Sequence, residues 1–233
     1  ICTGAGANSY VGGLLGSLSA KGSVTQSHNK GLAKMSLTNQ HCNVGGIAGY
    51  SSGAVSQCTN ASTGKVIVEH KGANVKYAVA GGMVGRGFKG SSIAECVNYG
   101  MVEAAVNTNN KLTGAGGMLG QAQNAVSLTN NSNYGEVKGS NTNAAAQIYV
   151  GGIVATDGES LEHTGATTVT GNANYGIVTL SAETPSVANG LVNTVTGAAA
   201  GGIFGLIVNS IMPTAEADYN VNYGIVIAEK GKV

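Results

Sequence analysis

A double glycine followed by two apolar residues recurs six times along this 233-residue chain, and five of the six copies end in a third glycine. The copies read GGLLG, GGIAG, GGMVG, GGMLG, GGIVA and GGIFG, and they begin at Gly12, Gly45, Gly81, Gly116, Gly151 and Gly201. Successive starts are 33, 36, 35, 35 and 50 residues apart. A motif that returns at a nearly fixed period indicates a repeat protein, in which each unit stacks on its neighbours.

Other positions repeat in step with the double glycine. An asparagine stands in all six units, at Asn29, Asn60, Asn98, Asn133, Asn174 and Asn222. Two residues earlier the side chain is small and polar or a thiol, at Ser27, Cys58, Cys96, Asn131, Asn172 and Asn220. Five residues before the asparagine the side chain is apolar, at Val24, Val55, Ile93, Leu128, Val169 and Ala217. In four units a tyrosine follows the asparagine, at Tyr99, Tyr134, Tyr175 and Tyr223.

The segments between these columns favour β-strands over helices. They are short and rich in Val, Ile and Ala, and each of their frequent glycines would weaken a helix by about 1 kcal/mol. The third unit predicts three strands, in YAVAGGMVG, SIAECVN and GMVEAAV. Such a unit cannot bury its own apolar face, so it must stack on copies of itself. We expect one all-β domain over 1–233, a right-handed parallel β-solenoid of about six coils with three short strands per coil.

Parallel stacking gives each column a physical role. Equivalent residues of neighbouring coils would lie about 4.8 Å apart, so every column becomes a ladder. The double glycines are expected to form tight corners, because glycine adopts positive φ readily. The asparagine amides are expected to pair with their own copies in the coils above and below.

Composition narrows the classes of function. Only 10% of residues are charged and the net charge is +1, so the clustered Lys and Arg of a nucleic-acid or anionic-membrane surface are missing. The longest apolar run, residues 197–208, is too short and too glycine-rich for a membrane span. The opening residues lack the pattern of a signal peptide, which predicts a mature or trimmed chain.

The stretches VGGIAGYSSGAVSQCTN and AGGMVGRGFKGSSIAECVNYGMV, residues 44–60 and 80–102, resemble the GLUG-motif repeat. That repeat occurs in large bacterial surface and secreted proteins, including immunoglobulin A-cleaving metallopeptidases and many proteins of gut Bacteroidetes. The resemblance implies an extracellular solenoid used as a stalk, adhesive surface or spacer. It implies no chemistry, because peptidase activity belongs to a separate metal-binding domain and no His-Glu-x-x-His occurs here. The fifth unit departs from the pattern at Ala155 and in a long insertion, which puts its corner in doubt.

Catalytic and metal-binding patterns are sparse, so we expect no enzyme activity, cofactor or metal. The one acidic cluster, Asp157, Glu159, Glu162 and His163, is interpreted as a solvated insertion loop. His28, His41 and His70 lack the spacing of metal ligands and are expected on the surface or in turns.

The cysteines and the tyrosines each allow two interpretations. Four cysteines in an extracellular chain can form two disulfides, and Cys2 can pair with Cys42. Cys58 and Cys96 share a column, however, where parallel side chains point the same way, so stacked free thiols are favoured. The tyrosine column can bind glycans or a partner chain, or its rings can simply stack on one another, which the sequence favours.

The sequence therefore predicts a non-catalytic structural or adhesive segment of a bacterial extracellular or cell-surface protein. Because neither end reads as a capping unit, its partners are expected to be flanking solenoid sequence or other copies of itself, joined end to end. Host or microbial glycans or proteins are further candidate partners. The alternative is a carbohydrate-binding or carbohydrate-active β-helix protein.

Overall fold

The computed structural model describes residues 2–4, 8–107, 112–143, 147–157, 167–183, 198–207 and 219–230. These residues form 28 β-strands and no helix. The first fourteen are β1 (Cys2–Gly4), β2 (Asn8–Gly12), β3 (Leu15–Leu18), β4 (Ser23–Thr25), β5 (His28–Asn29), β6 (Leu32–Gly45), β7 (Ala48–Ser51), β8 (Ala54–Ser56), β9 (Thr59–Asn60), β10 (Lys65–Gly81), β11 (Val84–Phe88), β12 (Ser92–Ala94), β13 (Val97–Asn98) and β14 (Met101–Val106). The others are β15 (Leu112–Gly116), β16 (Leu119–Gln123), β17 (Ser127–Thr129), β18 (Ser132–Asn133), β19 (Val137–Asn141), β20 (Ile148–Gly151), β21 (Val154–Thr156), β22 (Thr168–Thr170), β23 (Ala173–Asn174), β24 (Val178–Ala182), β25 (Ala198–Gly201), β26 (Phe204–Leu206), β27 (Val221–Asn222) and β28 (Val226–Lys230).

Parallel pairing between successive units assembles these strands into four sheets. The largest sheet contains the eleven strands β1, β2, β6, β10, β14, β15, β19, β20, β24, β25 and β28. The other three run β3-β7-β11-β16-β21-β26, β4-β8-β12-β17-β22 and β5-β9-β13-β18-β23-β27. Each residue pairs with its counterpart one repeat away, as Ile93 does with Val55 and Leu128. The predicted class, an all-β parallel solenoid, is confirmed.

The expected three strands per unit are wrong in detail. The predicted strand YAVAGGMVG is two strands in different sheets, because the chain turns between Gly81 and Val84. The predicted strand SIAECVN is also divided, into β12 and β13, by Glu95 at φ 54°. With β14, five strand segments replace three in this unit.

A left-handed residue makes the second of these corners in successive units. The positions are Gln26, Gln57, Glu95, Asn130 and Gly171, with φ between 48° and 65°. Only one of the five is glycine, although a side chain in this region of φ and ψ costs about 1 kcal/mol or more. At the first three positions the side chains bond across units, since Gln26 donates to Gln57 and Gln57 donates to Glu95.

The double glycines serve a different purpose from the one the sequence suggested. All twelve lie in described residues, and none has φ in the left-handed range. They are required by close approach: a Cβ on Gly82 would lie 2.0 Å from the carbonyl oxygen of Gly117 and 2.6 Å from Cγ of Asn98. A Cβ on Gly81 would lie 1.9 Å from the carbonyl oxygen of Val84. The expectation of positive φ at these glycines was wrong, because steric room for backbone and amide decides them.

The close contact between glycine and asparagine divides each unit into two lobes. We call this contact the waist; the same second glycine meets the same asparagine in all six units, from Gly13 with Asn29 to Gly202 with Asn222. One lobe lies between strands that follow the asparagine and strands that lead to the glycines, as where Gly139 of β19 faces Ile148 and Val150 of β20. The other lobe is enclosed by the three smaller sheets.

Each lobe has its own apolar core built from the repeat columns. The first contains Val66, Val68, Val102, Val137, Ile148, Val150 and Val178. The second contains Ile47, Val55, Met83, Ile93, Met118, Leu128, Ile153 and Val169. The predicted apolar column therefore lines the second core wherever it is described, while Ala217 lies outside the described residues.

The fifth unit keeps its corner despite Ala155. β21 pairs in register with β16 and β26, and Ala155 is buried. Room for the extra methyl group comes from Gly114 in the strand beneath, since a Cβ on Gly114 would lie 2.9 Å from Cβ of Ala155. The position equivalent to Gly114 holds Val79 in the preceding unit and Tyr149 in the following one. The doubt about this corner is resolved by one compensating glycine.

Candidate functional site

The asparagine column forms a continuous hydrogen-bonded ladder at the waist. The Nδ2 of each asparagine donates to the Oδ1 of the next at 2.7 to 2.8 Å, from Asn29 through to Asn222. The amide nitrogen also donates within its own turn, as Asn98 does to the carbonyl of Gly100 at 2.9 Å. Asn60, Asn98, Asn133 and Asn174 are fully buried, so the predicted ladder is confirmed as an internal spine.

A second ladder lies beside the asparagine ladder. Its side chains are asparagines in the later units and cysteines in two earlier ones. Asn131 Nδ2 donates to Asn172 Oδ1 at 2.8 Å, and Asn172 donates to Asn220 at 3.0 Å. In earlier units the column continues as Cys96 and Cys58, where the backbone N–H of Cys58 donates to Cys96 Sγ at 3.4 Å. Cys58 and Cys96 are free and buried, Cys42 is buried, and the side chain of Cys2 lies outside the described residues.

The two stacked thiols differ in acidity. A hydrogen bond from Cys96 lowers the pKa of Cys58, while the hydrogen bond to Cys58 and burial raise the pKa of Cys96. Each sulfur also lies 3.2 Å from the carbonyl oxygen two residues earlier, Cys58 from Ser56 and Cys96 from Ala94. These contacts make the pair part of the core packing of the second lobe.

The tyrosine column lies on the outside of the same turn. A side chain next to an inward-facing residue of a strand points outward, so Tyr134 follows buried Asn133 onto the surface. Parallel hydrogen bonds fix the spacing, since the N–H of Tyr134 donates to the carbonyl of Asn98 at 2.7 Å and that of Tyr175 to Asn133 at 2.7 Å. The side chains therefore align one above the next.

The four rings stack face to face. The centroids of Tyr99 and Tyr134 are 5.1 Å apart, those of Tyr134 and Tyr175 4.6 Å, and those of Tyr175 and Tyr223 4.9 Å. The interplanar angles are 16°, 4° and 10°. The four tyrosine rings therefore stack on one another, as the sequence analysis favoured.

Ring exposure differs along this tyrosine ladder. Tyr99, Tyr134 and Tyr175 are 42 to 48% exposed, whereas Tyr223 is 66% exposed. At the other end the column continues as Ala61 and Lys30, so Tyr99 is the first ring. Of the four rings, Tyr223 offers the most ring surface to a partner, and glycan binding by the column remains a prediction.

The acidic cluster and the histidines are placed differently from expectation. Asp157 is only 2% exposed, so it is not in a solvated loop, and Glu159, Glu162 and His163 lie outside the described residues. His28 is exposed as expected. His41 instead stacks on Tyr77 with ring centroids 4.7 Å apart, and His70 is 1% exposed, with burial lowering its pKa to about 4.

One cavity was not anticipated from the sequence. It has a volume of about 240 Å³ and lies at the far end of the first lobe. Its lining comes from equivalent positions of three units, Glu69, His70, Lys71, Ala105, Val106, Asn107, Ser140 and Thr142. An alignment of the repeats could have shown that these residues are neighbours. Their residue types differ from unit to unit, however, and do not indicate a common ligand.

Comparison with family models, curated proteins and solved structures finds no match to this chain. Among the described residues, none of the side chains that bind metals form a group of three or more. The same part of the chain contains no helix with the length and apolar character needed to cross a bilayer.

Proposed function

We propose that this chain is a non-catalytic structural or adhesive segment of a bacterial extracellular or cell-surface protein, and that it associates end to end with solenoid coils. The proposal draws its extracellular, bacterial setting from the GLUG-like repeat. It rests on one structural observation, the outer edge of β27 and β28, with which no described strand pairs.

The side chains of this coil are exposed at positions that are buried elsewhere. Val226 is 39% exposed, whereas its register partners Val178 and Val137 are fully buried. Asn222 is exposed, whereas Asn174 is fully buried. No described strand pairs with the outer edge of β27 or β28. An uncovered strand edge is a template for a further strand.

The polarity of the asparagine ladder suits head-to-tail addition. Every amide nitrogen donates toward the unit with the higher residue numbers, and Asn222 Nδ2 bonds only within its own turn, to Gly224 at 2.9 Å. At the opposite end, Asn29 Oδ1 accepts from the N–H of Gly31 at 3.2 Å and pairs with no described asparagine. A second copy would place this acceptor beside the Asn222 donor.

Sedimentation velocity over a range of concentrations tests the association. We expect the wild-type sedimentation coefficient to rise with concentration and Val226→Lys to remain monomeric, because a charge would be buried at the joint. Thr129→Lys, on an outer face away from the edge, is the matched control and should associate like the wild type. A wild-type monomer at all concentrations would refute self-association.

Carbohydrate binding is the second candidate, favoured by the 66% exposure of Tyr223. A pyranose can stack on a free aromatic face, which the inner rings of the ladder do not offer. A glycan array with the wild type and Tyr223→Ala distinguishes the two roles. Tyr223-dependent glycan signals without self-association would favour the binding module.

A further inference from the structure

The rings of the tyrosine ladder are both stacked and exposed to solvent. Its rings are in mutual contact, with the shortest separation, 4.6 Å between centroids, at Tyr134 and Tyr175. That distance is near the lower limit for stacked aromatic pairs. The same two rings are 46% and 42% exposed, so reagents in solution can reach their edges.

The backbone holds these phenols in position before any reaction. The strands that carry Tyr134 and Tyr175 are parallel and in register, Asn133 pairing with Asn174. The rings consequently project from the same side of the solenoid at an interplanar angle of only 4°. The ring carbons next to each hydroxyl therefore face an equivalent ring with no side chain between them.

We propose that the tyrosine ladder is a site of oxidative cross-linking, at which Tyr134 and Tyr175 form an intramolecular dityrosine. The oxidant is of the peroxidase type, a haem enzyme supplied with hydrogen peroxide. Each phenol gives up one electron and one proton, and together these reduce one hydrogen peroxide to two waters. The two phenoxyl radicals join through a bond between ortho carbons, and the hydrogen on each of those carbons moves to the phenol oxygen.

The cross-link would join neighbouring coils covalently on their solvent side. Its location complements the asparagine ladder, which joins the same coils at the waist by hydrogen bonds alone. Desolvation between the neighbouring rings raises the pKa of Tyr175, and Tyr134 and Tyr223 raise it further. The phenol therefore enters the reaction with its proton, as the balance above requires.

Another tyrosine pair in the chain serves as an internal comparison. Tyr10 and Tyr50 have centroids 5.1 Å apart, but their rings are tilted by 42° and half-buried. We expect this pair to couple poorly, because its rings are neither parallel nor freely accessible.

The test treats dilute protein with a haem peroxidase and limiting hydrogen peroxide, then isolates the monomer by gel filtration. We expect dityrosine fluorescence in the monomer and, by peptide mass spectrometry, a Tyr134–Tyr175 cross-link lighter by two hydrogens. The double variant Tyr134→Phe, Tyr175→Phe keeps stacked rings without phenols and should lose nearly all of this fluorescence. The control Tyr10→Phe, Tyr50→Phe should retain it.

Three outcomes would overturn the proposal: no dityrosine in the wild-type monomer, coupling only between separate chains, or undiminished coupling in the ladder variant. Matching thermal melts of wild type and variants ensure that folding is not the cause. Oxidation in denaturing urea should abolish the preference for Tyr134 and Tyr175. The result is independent of the proposed function, because the bond forms within one chain.

Discussion

The asparagine ladder and the tyrosine ladder are built from consecutive residues, yet they face opposite environments. Asn133 is fully buried and bonds to its neighbours at 2.7 Å, whereas Tyr134 is 46% exposed and its ring stacks on the rings of Tyr99 and Tyr175. The inner column is asparagine in all six units. The outer column changes to Ala61 and Lys30 in two of them. The difference shows which column the fold requires.

The physical reason lies at the waist. The second glycine of each unit packs so closely on the asparagine amide that a Cβ on the glycine would overlap it, and buried amides need hydrogen-bond partners. The tyrosine rings exchange contacts with solvent for contacts with one another. These contacts stabilise the stack of coils, but the fold does not require them. We therefore expect substitutions in the asparagine ladder to lower the free energy of unfolding more than substitutions in the tyrosine ladder.

The largest effect is expected from Asn133→Leu. The substitution removes the ladder acceptor of Asn98, which keeps its bond to Gly100, and the ladder donor of Asn174. Each buried hydrogen-bonding position left unsatisfied costs roughly 1 to 3 kcal/mol, or about 4 kcal/mol together. Urea unfolding should show this loss of stability. A free energy of unfolding equal to that of the wild type would mean that the amide ladder contributes nothing.

The next effect comes from the buried histidine at the cavity, outside both ladders. Burial lowers the pKa of His70 from 6.5 to about 4, so the unfolded chain takes up the proton first. The contribution of His70 to stability should be complete above pH 6.5 and be lost as the pH drops toward 4, by about 3 kcal/mol for a difference of this size.

Unfolding measured at several pH values, with His70→Gln as the reference, isolates the histidine. The variant should lose the decline between pH 6.5 and 5. Glu69, whose pKa is lowered chiefly by its hydrogen bond with Lys34, loses its stabilising contribution only as the pH falls below about 4.5. An identical decline in both proteins would exclude His70 as its source.

The smallest effect is expected on the outside. Tyr134→Ala removes two stacked contacts and should lower the free energy of unfolding by about 1.5 kcal/mol. Tyr134→Phe keeps both contacts and should stay within about 0.5 kcal/mol of the wild type. Urea unfolding of the two tyrosine variants and of Asn133→Leu compares the outer ladder with the inner one. A loss for Tyr134→Ala as large as for Asn133→Leu would refute the ranking.

Much of the architecture could be read from the repeat, because parallel stacking converts each sequence column into a spatial one. The asparagine ladder, the core positions and the stacked tyrosines all follow from that conversion. The role of the double glycine could not be predicted in this way. The sequence does not distinguish a glycine required for positive φ from one required because neighbouring atoms leave no room for a Cβ. Gln57 and Glu95 at positive φ were also missed, because their residue types do not favour it.

The sequence by itself determined the fold class and the register, because a fixed period places identical groups at a fixed separation. Tertiary structure decided which columns meet: Gly82 packs against Asn98 within one coil, and Gly114 packs beneath Ala155 between neighbouring coils. Those contacts depend on how each coil closes on itself. The packing between segments of one coil determines this closure. The distance between those segments along the sequence does not indicate that they are close in space.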